Sequence, residues 1–358
     1  MNPAAGVCMV IHDDCRHFQG DIPCKPHKTS GVHCEDCPHY DPVKQRILII
    51  KLGAIGDVIR TTPVLHRLKK EYPRAQIHWL THTPQMVPKQ VDRIYKYDAP
   101  NIEILRDITF DLLLNLDKDR EACALANHIR AAEKKGFQLA DGNCAPLGDA
   151  ARDKWLTGLF DDINQRNTKS YPQEIFEICG YDFQGEEYIL DLPEHRKWDL
   201  PEGKAVVGLN TGCGVRWKTR LWPDNHWIAL AKLLKSKGYG VLFLGGEQED
   251  AKNRRLAGSS GAFYPGHFSL PVFTDLMNQC DLIVTAVTMA LHIALGLKKK
   301  VVLFNNIFNS HEFELYGRGV IVEPPKDCKG CFMNDCPEAC MSLILPDDVA
   351  MQVDKLMS

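Results

Sequence analysis

The sequence lacks any run of apolar residues long enough to cross a lipid bilayer, although 44% of its 358 residues are hydrophobic. It also lacks an excess of positive charge, because 43 Lys and Arg residues stand against 46 Asp and Glu residues. Its first fifteen residues contain no basic segment followed by an apolar run, as a secretion signal would. We therefore expect a cytoplasmic protein with no general affinity for nucleic acid and at most peripheral contact with the inner face of the cytoplasmic membrane.

Cysteine, in contrast, is abundant, with 14 residues in the chain. In a cytoplasmic protein such residues are more often thiols and metal ligands than disulfides. Four of them lie close together near the end of the chain, namely Cys328, Cys331, Cys336 and Cys340. This short spacing is typical of structural zinc, with an iron–sulfur centre as the alternative, and four protein ligands would leave no open position for catalysis.

Residues 1–45 form a separate extension that is rich in Cys and His and has poor hydrophobic periodicity, so we expect no hydrophobic core there. We predict a second structural metal site in this extension, because metal binding could order a segment that cannot pack. The predicted ligands are Cys15, Cys24, Cys34 and Cys37, with His17, His27 or His33 as substitutes. Disulfides or metal-free thiols are the alternative, and whether the two Cys groups form one site or two stays open.

The apolar run 47–50 is followed by a Gly-punctuated turn and a helix start. Four consecutive apolar residues favour a parallel strand that is covered on both faces. Gly53 and Gly56 allow a tight turn that approaches a ligand closely. Asp57 then lies past the carboxyl end of the strand, where open α/β sheets bind their ligands, and it is our candidate catalytic base. The alternative is that Asp57 only caps the helix.

The same order of apolar strand, Gly-rich turn, helix and strand recurs at 205–249. A separation of about 150 residues between the two units fits one domain for each. Because strands alternate with helices in both halves, we predict two α/β domains with mostly parallel sheets and a cleft between them. The predicted divisions are a first domain at 46–190, a linker at 191–204 and a second domain with the Cys-rich tail at 205–358.

The Gly-rich turn of the second half contains Thr211 and Gly212, and it is followed by three cations, Arg216, Lys218 and Arg220. Backbone N–H groups that a ligand can approach closely, together with positive charge, are what a diphosphate needs. We therefore favour a phosphate-binding loop, and the alternative is a solvated basic loop.

Two further segments carry candidate binding residues. Glu249 follows another Gly-rich strand end, where its carboxylate could accept hydrogen bonds from ribose hydroxyls or could cap the next helix. Thr288 and His292 lie four residues apart on one face of a predicted helix. His292 alone is more typical of a core residue than of a catalyst.

Taken together, these residues resemble glycosyltransferase family 9, the bacterial heptosyltransferases that build the inner core of lipopolysaccharide. The resemblance covers about residues 46–350 and rests on KLGAIGDVIRTTPVL, on the Gly-rich loop that ends in Trp222-Pro223, on LGGEQED, and on the stretch from Thr288 to His292. It implies the GT-B fold, two facing Rossmann-like doubly wound domains that bind mainly the acceptor in the first and the nucleotide-sugar donor in the second.

The resemblance also implies roles for individual residues. Asp57 matches the family's base, and Lys51 and Arg60 lie on the implied acceptor side. The implied donor-binding residues are Thr211, Gly212, Lys218, Arg220, Glu249, Thr288, Met289 and His292. Val287 and Met289 stand where the family has Asp and Gly, so the resemblance leaves the donor sugar open.

We therefore predict an inverting glycosyltransferase that needs no metal or other cofactor for catalysis. It would move a heptose-like sugar from a nucleotide-diphosphate sugar such as ADP-heptose to a hydroxyl of a lipopolysaccharide-type or other glycan or glycolipid acceptor. One alternative is a nucleotide-sugar epimerase of the same fold, which would act on the donor alone. The other is a non-catalytic nucleotide-sugar binding or scaffold protein, which would bind the donor without transferring its sugar.

Overall fold

The computed structural model describes residues 9–214, 217–328 and 330–358. Arg216 of the predicted phosphate-binding loop and Cys8 of the extension lie outside these ranges. Within the described ranges, no helix is both long and apolar enough to cross a membrane. The chain forms two α/β lobes, each built around one sheet.

The first lobe contains a six-stranded sheet with the strand order β3-β2-β1-β4-β5-β6. Its strands are β1 Gln45–Ile50, β2 Ala75–Thr81, β3 Arg93–Lys96, β4 Thr109–Asn115, β5 Arg130–Ala140 and β6 Asn143–Leu147. Neighbouring strands run parallel except for the hairpin pair β5 and β6. The apolar side chains of β1 are fully buried on both faces: Ile47 and Ile49 pack into one cluster, whereas Leu48 and Ile50 pack into another. This burial confirms the prediction of a central parallel strand.

Eight helices accompany the described part of the first lobe and its extension. They are α1 Lys25–Ser30, α2 Ile55–Thr61, α3 Val64–Glu71, α4 Ala99–Asp107, α5 Arg120–His128, α6 Arg152–Leu156, α7 Asp161–Arg166 and α8 Tyr171–Cys179. Helix α2 begins directly after the turn that follows β1, so the first turn of α2 lies at the carboxyl end of the central strand.

The second lobe contains a five-stranded parallel sheet with the strand order β11-β10-β9-β7-β8. Its strands are β7 Val206–Asn210, β8 Gly240–Leu244, β9 Leu282–Ala286, β10 Lys300–Phe304 and β11 Gly319–Val322. Its helices are α9 Asp224–Ser236, α10 Asp250–Ser260, α11 Leu270–Asn278, α12 Met289–Gly296 and α13 Pro346–Met357. The last helix packs on α9 and closes the apolar cluster on one face of this sheet.

The two lobes meet where α2 lies against α12. Gly56 permits this close approach, because a Cβ atom there would lie only 2.5 Å from Cδ2 of His292. The stretch that joins the lobes, between Cys179 and Val206, contains no helix or strand and includes the predicted linker. The carboxyl ends of both central strands therefore face a common cleft, as expected for two facing lobes.

Candidate active site

Two cavities meet in this cleft. The interlobe cavity has a volume of about 680 Å³ and is lined by both lobes, whereas the first-lobe cavity, of about 470 Å³, is lined by the first lobe alone. Ala54, Asp57 and Arg60 line both cavities. The predicted base therefore lies at the boundary between a space that the second lobe helps to form and a space that belongs to the first lobe.

Asp57 is the third residue of α2, and 31% of its side chain is exposed. Its Oδ2 accepts a hydrogen bond from the N–H of Ala54 at 3.2 Å, which caps the helix start. Its Oδ1 accepts a hydrogen bond from Nε of Arg60 at 2.8 Å. The two interpretations drawn from the sequence are thus compatible, because the same carboxylate caps α2 and faces the cleft.

The charges around Asp57 keep it ionised. Desolvation opposes the charged form, but the nearby cations of Arg60 and Lys51 outweigh it and hold the pKa of Asp57 well below its ordinary value. Arg60 is itself held from three sides. Its guanidinium contacts Asp57, lies 3.6 Å from the ring centre of Tyr171, and donates from Nη1 to Oε1 of Glu312 in the second lobe at 2.5 Å.

Lys51 lies in the first-lobe cavity, as its predicted acceptor-side position requires. Its Nζ lies 3.3 Å from Oδ2 of Asp117, which also accepts the N–H of Leu52 at 2.8 Å. Asp117 follows strand β4, the neighbour of β1 in the sheet. Two adjacent strand ends thus supply the polar floor of this cavity.

Arg220 presents a buried positive charge to the interlobe cavity. Among the described contacts its guanidinium donates to backbone carbonyls, from Nη1 to Val287, from Nη2 to Cys213 and from Nε to Trp217 at 3.5 Å. Burial lowers the pKa of Arg220, and no carboxylate of the described residues forms an ion pair with it. A charged guanidinium with only carbonyl partners is suited to receive an anion.

The amino end of α12 faces the same cavity. Thr288 precedes the helix, and its Oγ1 accepts the N–H of Ala290 at 3.1 Å. Met289 also lines the cavity, so the position that the family gives to Gly carries a long apolar side chain here. The helix start contributes the positive end of its dipole to the site.

Gly212 and Glu249 form the opposite wall. A Cβ atom on Gly212 would lie 2.5 Å from Cδ of Glu249, so glycine lets the Glu249 side chain pack directly against this turn. The carboxylate of Glu249 accepts the N–H of Gly246 at 3.0 Å, and all three residues line the cavity. Glu249 thus caps the short turn after Gly246 and also lines the cavity, and its ribose-binding role stays a prediction.

The family comparison is consistent with this geometry. A family model described as Glycosyltransferase family 9 (heptosyltransferase) matches residues 102–341. The chain belongs to glycosyltransferase family 9. It is 20% identical over 320 residues to lipopolysaccharide heptosyltransferase 1 of Pseudomonas aeruginosa, a match that covers 81% of this chain and 87% of that protein.

Solved structures show the fold that this family 9 chain adopts. The glycosyl transferase family 9 from Veillonella parvula superposes with a TM-score of 0.66 at 17% identity, covering 88% of this chain and 97% of the other. Escherichia coli ADP-heptose lps heptosyltransferase II superposes with a TM-score of 0.63 at 16% identity, covering 87% and 98%. The predicted GT-B architecture is confirmed.

Of the predicted donor residues of this family 9 chain, Thr211 and Lys218 are absent from the walls of both cavities. Thr211 is buried, and its Oγ1 donates to Oδ1 of Asn253 at 2.6 Å. Lys218 is exposed and lines neither cavity. His292 does line the interlobe cavity but is buried against α2, and burial, reinforced by Arg60, lowers its pKa to about 3. The imidazole is therefore neutral at physiological pH, and its binding role stays a prediction.

The sequence patterns missed most of the first-lobe cavity, which Lys118, Lys154 and Tyr171 also line. The strand-end rule that selected Asp57 applies equally to the segment after β4, and it would have found Asp117 and Lys118. Glu312 carries no such signal, because it lies in a short 3₁₀ turn rather than after a strand.

The structure brings each predicted Cys group around one small cavity. Cys15, Cys24, Cys34 and Cys37 line a cavity of about 30 Å³ that His17 also lines, whereas the cavity wall does not include His27 or His33. The four tail cysteines line a second cavity of about 20 Å³. Cysteines in the described ranges are all free, and no three His, Cys, Asp or Glu side chains there lie in an arrangement that meets metal-site geometry.

Proposed function

We propose that this family 9 protein is an inverting glycosyltransferase that transfers a heptose-like sugar from a nucleotide-diphosphate donor to a glycan or glycolipid acceptor. The observation that carries the proposal is the position of Asp57, whose carboxylate lies at the boundary of the interlobe and first-lobe cavities. A group at such a boundary can take a proton from an acceptor on one side while the sugar donor lies on the other.

We place the donor in the interlobe cavity. Arg220 and the amino end of α12 would hold its diphosphate, and Glu249 would accept hydrogen bonds from the ribose. The similarity to Escherichia coli ADP-heptose lps heptosyltransferase II supports an ADP-heptose-like donor. Met289 lines the cavity at the start of α12 and narrows the space there. The proposal therefore leaves the identity of the donor sugar open.

The transfer follows from these positions. Asp57 removes the proton from an acceptor hydroxyl as that oxygen bonds to the anomeric carbon, and the bond from this carbon to the diphosphate oxygen breaks on the opposite face, which inverts the configuration. Negative charge then grows on the departing diphosphate. Arg220 and the N–H groups near Gly212 stabilise it, so the chain supplies the required charge without a catalytic metal.

We place the acceptor in the first-lobe cavity, whose lysines indicate the chemistry of the acceptor. Lys154 is paired with Glu174 at 2.6 Å and Lys51 with Asp117 at 3.3 Å. Lys118 donates only to the carbonyl oxygen of Lys154, at 3.3 Å, among the described contacts. We infer that Lys118 binds a phosphate or carboxylate group on a lipopolysaccharide-type acceptor.

The Asp57→Asn variant tests the proposal. Asparagine can still accept the N–H of Ala54 but cannot take a proton, so we expect kcat to fall by about 10²–10⁴-fold while ADP affinity stays nearly unchanged. Transfer would be followed with ADP-heptose and glycan acceptors extracted from cells that lack this protein, and ADP affinity would be measured by calorimetry.

The matched control is Asp98→Asn. Asp98 also caps a helix, accepting the N–H of Asn101 at 3.2 Å, but it lines neither cavity. It should retain full transfer. Full turnover by the Asp57 variant would refute the assigned base. An NMR time course with donor alone would separate an epimerase, which converts the donor, from a binding protein, which changes nothing.

The tail cysteines have a structural role in this proposal. We propose that they hold zinc, with an iron–sulfur centre as the alternative, and so brace the loop that carries Arg220. Thr219 Oγ1 donates to the carbonyl of Met333 at 2.9 Å, and Asn306 donates both to the carbonyl of Thr219 at 2.8 Å and to Sγ of Cys340 at 3.3 Å.

The free thiols of the described residues favour a reducing compartment, so we place the reaction in the cytoplasm, at the membrane face that presents a glycolipid acceptor.

A further inference from the structure

The extension that precedes the first lobe is ordered without a hydrophobic core. In the described part of this segment, residues 9–45, only Pro26 is buried. Large apolar side chains point to solvent instead, with Met9 exposed by 65%, Ile11 by 60% and Ile22 by 57%. A segment that buries so little apolar surface cannot offset the entropy of ordering its backbone by packing alone.

Four thiols converge within this segment from distant sequence positions. Cys15 forms an isolated bridge with Pro42, and Cys24 directly precedes helix α1. Cys34 begins a short 3₁₀ turn, and the N–H of Cys37 closes that turn on its carbonyl at 3.4 Å. All four cysteines are half-buried, free and line one cavity of about 30 Å³.

We propose that these four cysteines bind one zinc ion as thiolates and that the ion takes the place of the missing core. Four soft sulfur ligands favour tetrahedral zinc, and a metal that binds only the folded arrangement contributes its binding free energy to folding. The described residues hold no ready-made metal site, so binding would have to draw the four Sγ atoms to about 2.3 Å from the ion.

The extension is anchored at the edge of the first sheet that lies away from the cleft. Arg16, next to Cys15, pairs with Asp41 inside the extension at 2.7 Å and with Asp92 of the first lobe at 2.6 Å. Arg16 also donates to the carbonyl of Ala75, the first residue of β2, at 2.9 Å. These contacts lie at the amino ends of the strands, whereas both large cavities lie at the carboxyl ends. The zinc site is therefore structural and independent of the proposed transfer reaction.

The test compares metal content and protease resistance in the full chain. The Cys34→Ser/Cys37→Ser variant should contain one zinc ion fewer per chain than the wild type, by elemental mass spectrometry. Limited trypsin digestion should then cut within residues 9–45, where the wild type resists. ADP affinity should stay unchanged, which separates this result from any failure of the proposed transferase.

The matched control is Cys144→Ser, a half-buried thiol outside both groups, which should keep the wild-type zinc content. A measurement on the wild type avoids dependence on variant folding: removing metal with a chelator should expose the same segment to trypsin, and adding zinc should restore resistance. Equal zinc content in the double variant and the wild type would overturn the proposal. A charge-transfer absorption of iron and sulfide that is present in the wild type and absent from the double variant would also overturn the proposal.

Discussion

Asp57 combines a structural contact with a position in the cleft. Its carboxylate caps α2 through Ala54, pairs with Arg60 and still leaves 31% of its side chain open to the cavities. The neighbouring cations Arg60 and Lys51 lower the pKa of Asp57, so its carboxylate is ionised near neutral pH.

Lys118 should confer a pH dependence on acceptor binding. Burial, reinforced by the charge of Lys154, lowers its pKa to about 8, so the ammonium is present below that pH and is lost above it. We expect the KM for an anionic acceptor to rise as pH increases beyond about 8, with little change in kcat, because a bound anion restores the charge. In Lys118→Met the KM should be high throughout and should not vary over this range.

The control for this prediction is Lys134→Met. Burial also lowers the pKa of Lys134, whose Nζ donates to the carbonyl of Ala126 at 2.8 Å, but Lys134 lines neither cavity. Its loss should leave the KM profile of the wild type intact. An unchanged profile in Lys118→Met as well would show that the acceptor does not use this cation.

At the scale of elements, the contact of α2 with α12 depends on the absence of a side chain at Gly56. A Cβ atom on Gly56 would lie 2.5 Å from Cδ2 of His292, which is buried in α12. We expect Gly56→Ala to destabilise the protein by about 1–3 kcal/mol through overpacking and to reduce transfer by displacing Asp57. Thermal unfolding and steady-state kinetics would measure both effects, and a second change, His292→Ala, should restore part of the stability.

Gly258→Ala is the matched control. Gly258 lies in the exposed face of helix α10 with no atom within 4 Å of an added Cβ. There alanine should stabilise the protein by about 0.5–1 kcal/mol, because it reduces the entropy lost on helix formation. A loss of stability at Gly258 equal to that at Gly56 would mean that the α2–α12 contact is not the cause.

The same scale shows which elements the sequence pattern could predict. Central strands such as β1 and β9 are buried on both faces and therefore carry continuous apolar runs. The strands without a long buried apolar run, β3, β5, β6 and β11, lie at or next to sheet edges, where burial is partial, and in β3, β5 and β6 polar residues also interrupt the apolar pattern. Strand β6 even contains a proline, which a central strand would exclude.

At the scale of the whole molecule, sequence reasoning located residues of each lobe but not the pairs that join them. The strand-end rule placed Asp57 and Arg220 in the cleft because topology decides which ends of parallel strands meet a ligand. No local pattern could show that Arg60 contacts Glu312, 252 residues away, because that contact depends on how the lobes face each other.

The link between Arg60 and Glu312 should hold the lobes together beside Asp57, the proposed base. The two side chains lie 2.5 Å apart and remain only 13% and 21% exposed. Glu312→Gln removes the charge but keeps the shape, so we expect a loss of about 1.5–3 kcal/mol in the free energy of unfolding and faster hydrogen exchange in α2, measured by denaturant titration and mass spectrometry. Glu314→Gln is the control, since Glu314 accepts a hydrogen bond from the N–H of Tyr316 within its own lobe at 2.8 Å. Equal exchange in α2 for both variants would show that the ion pair does not couple the lobes.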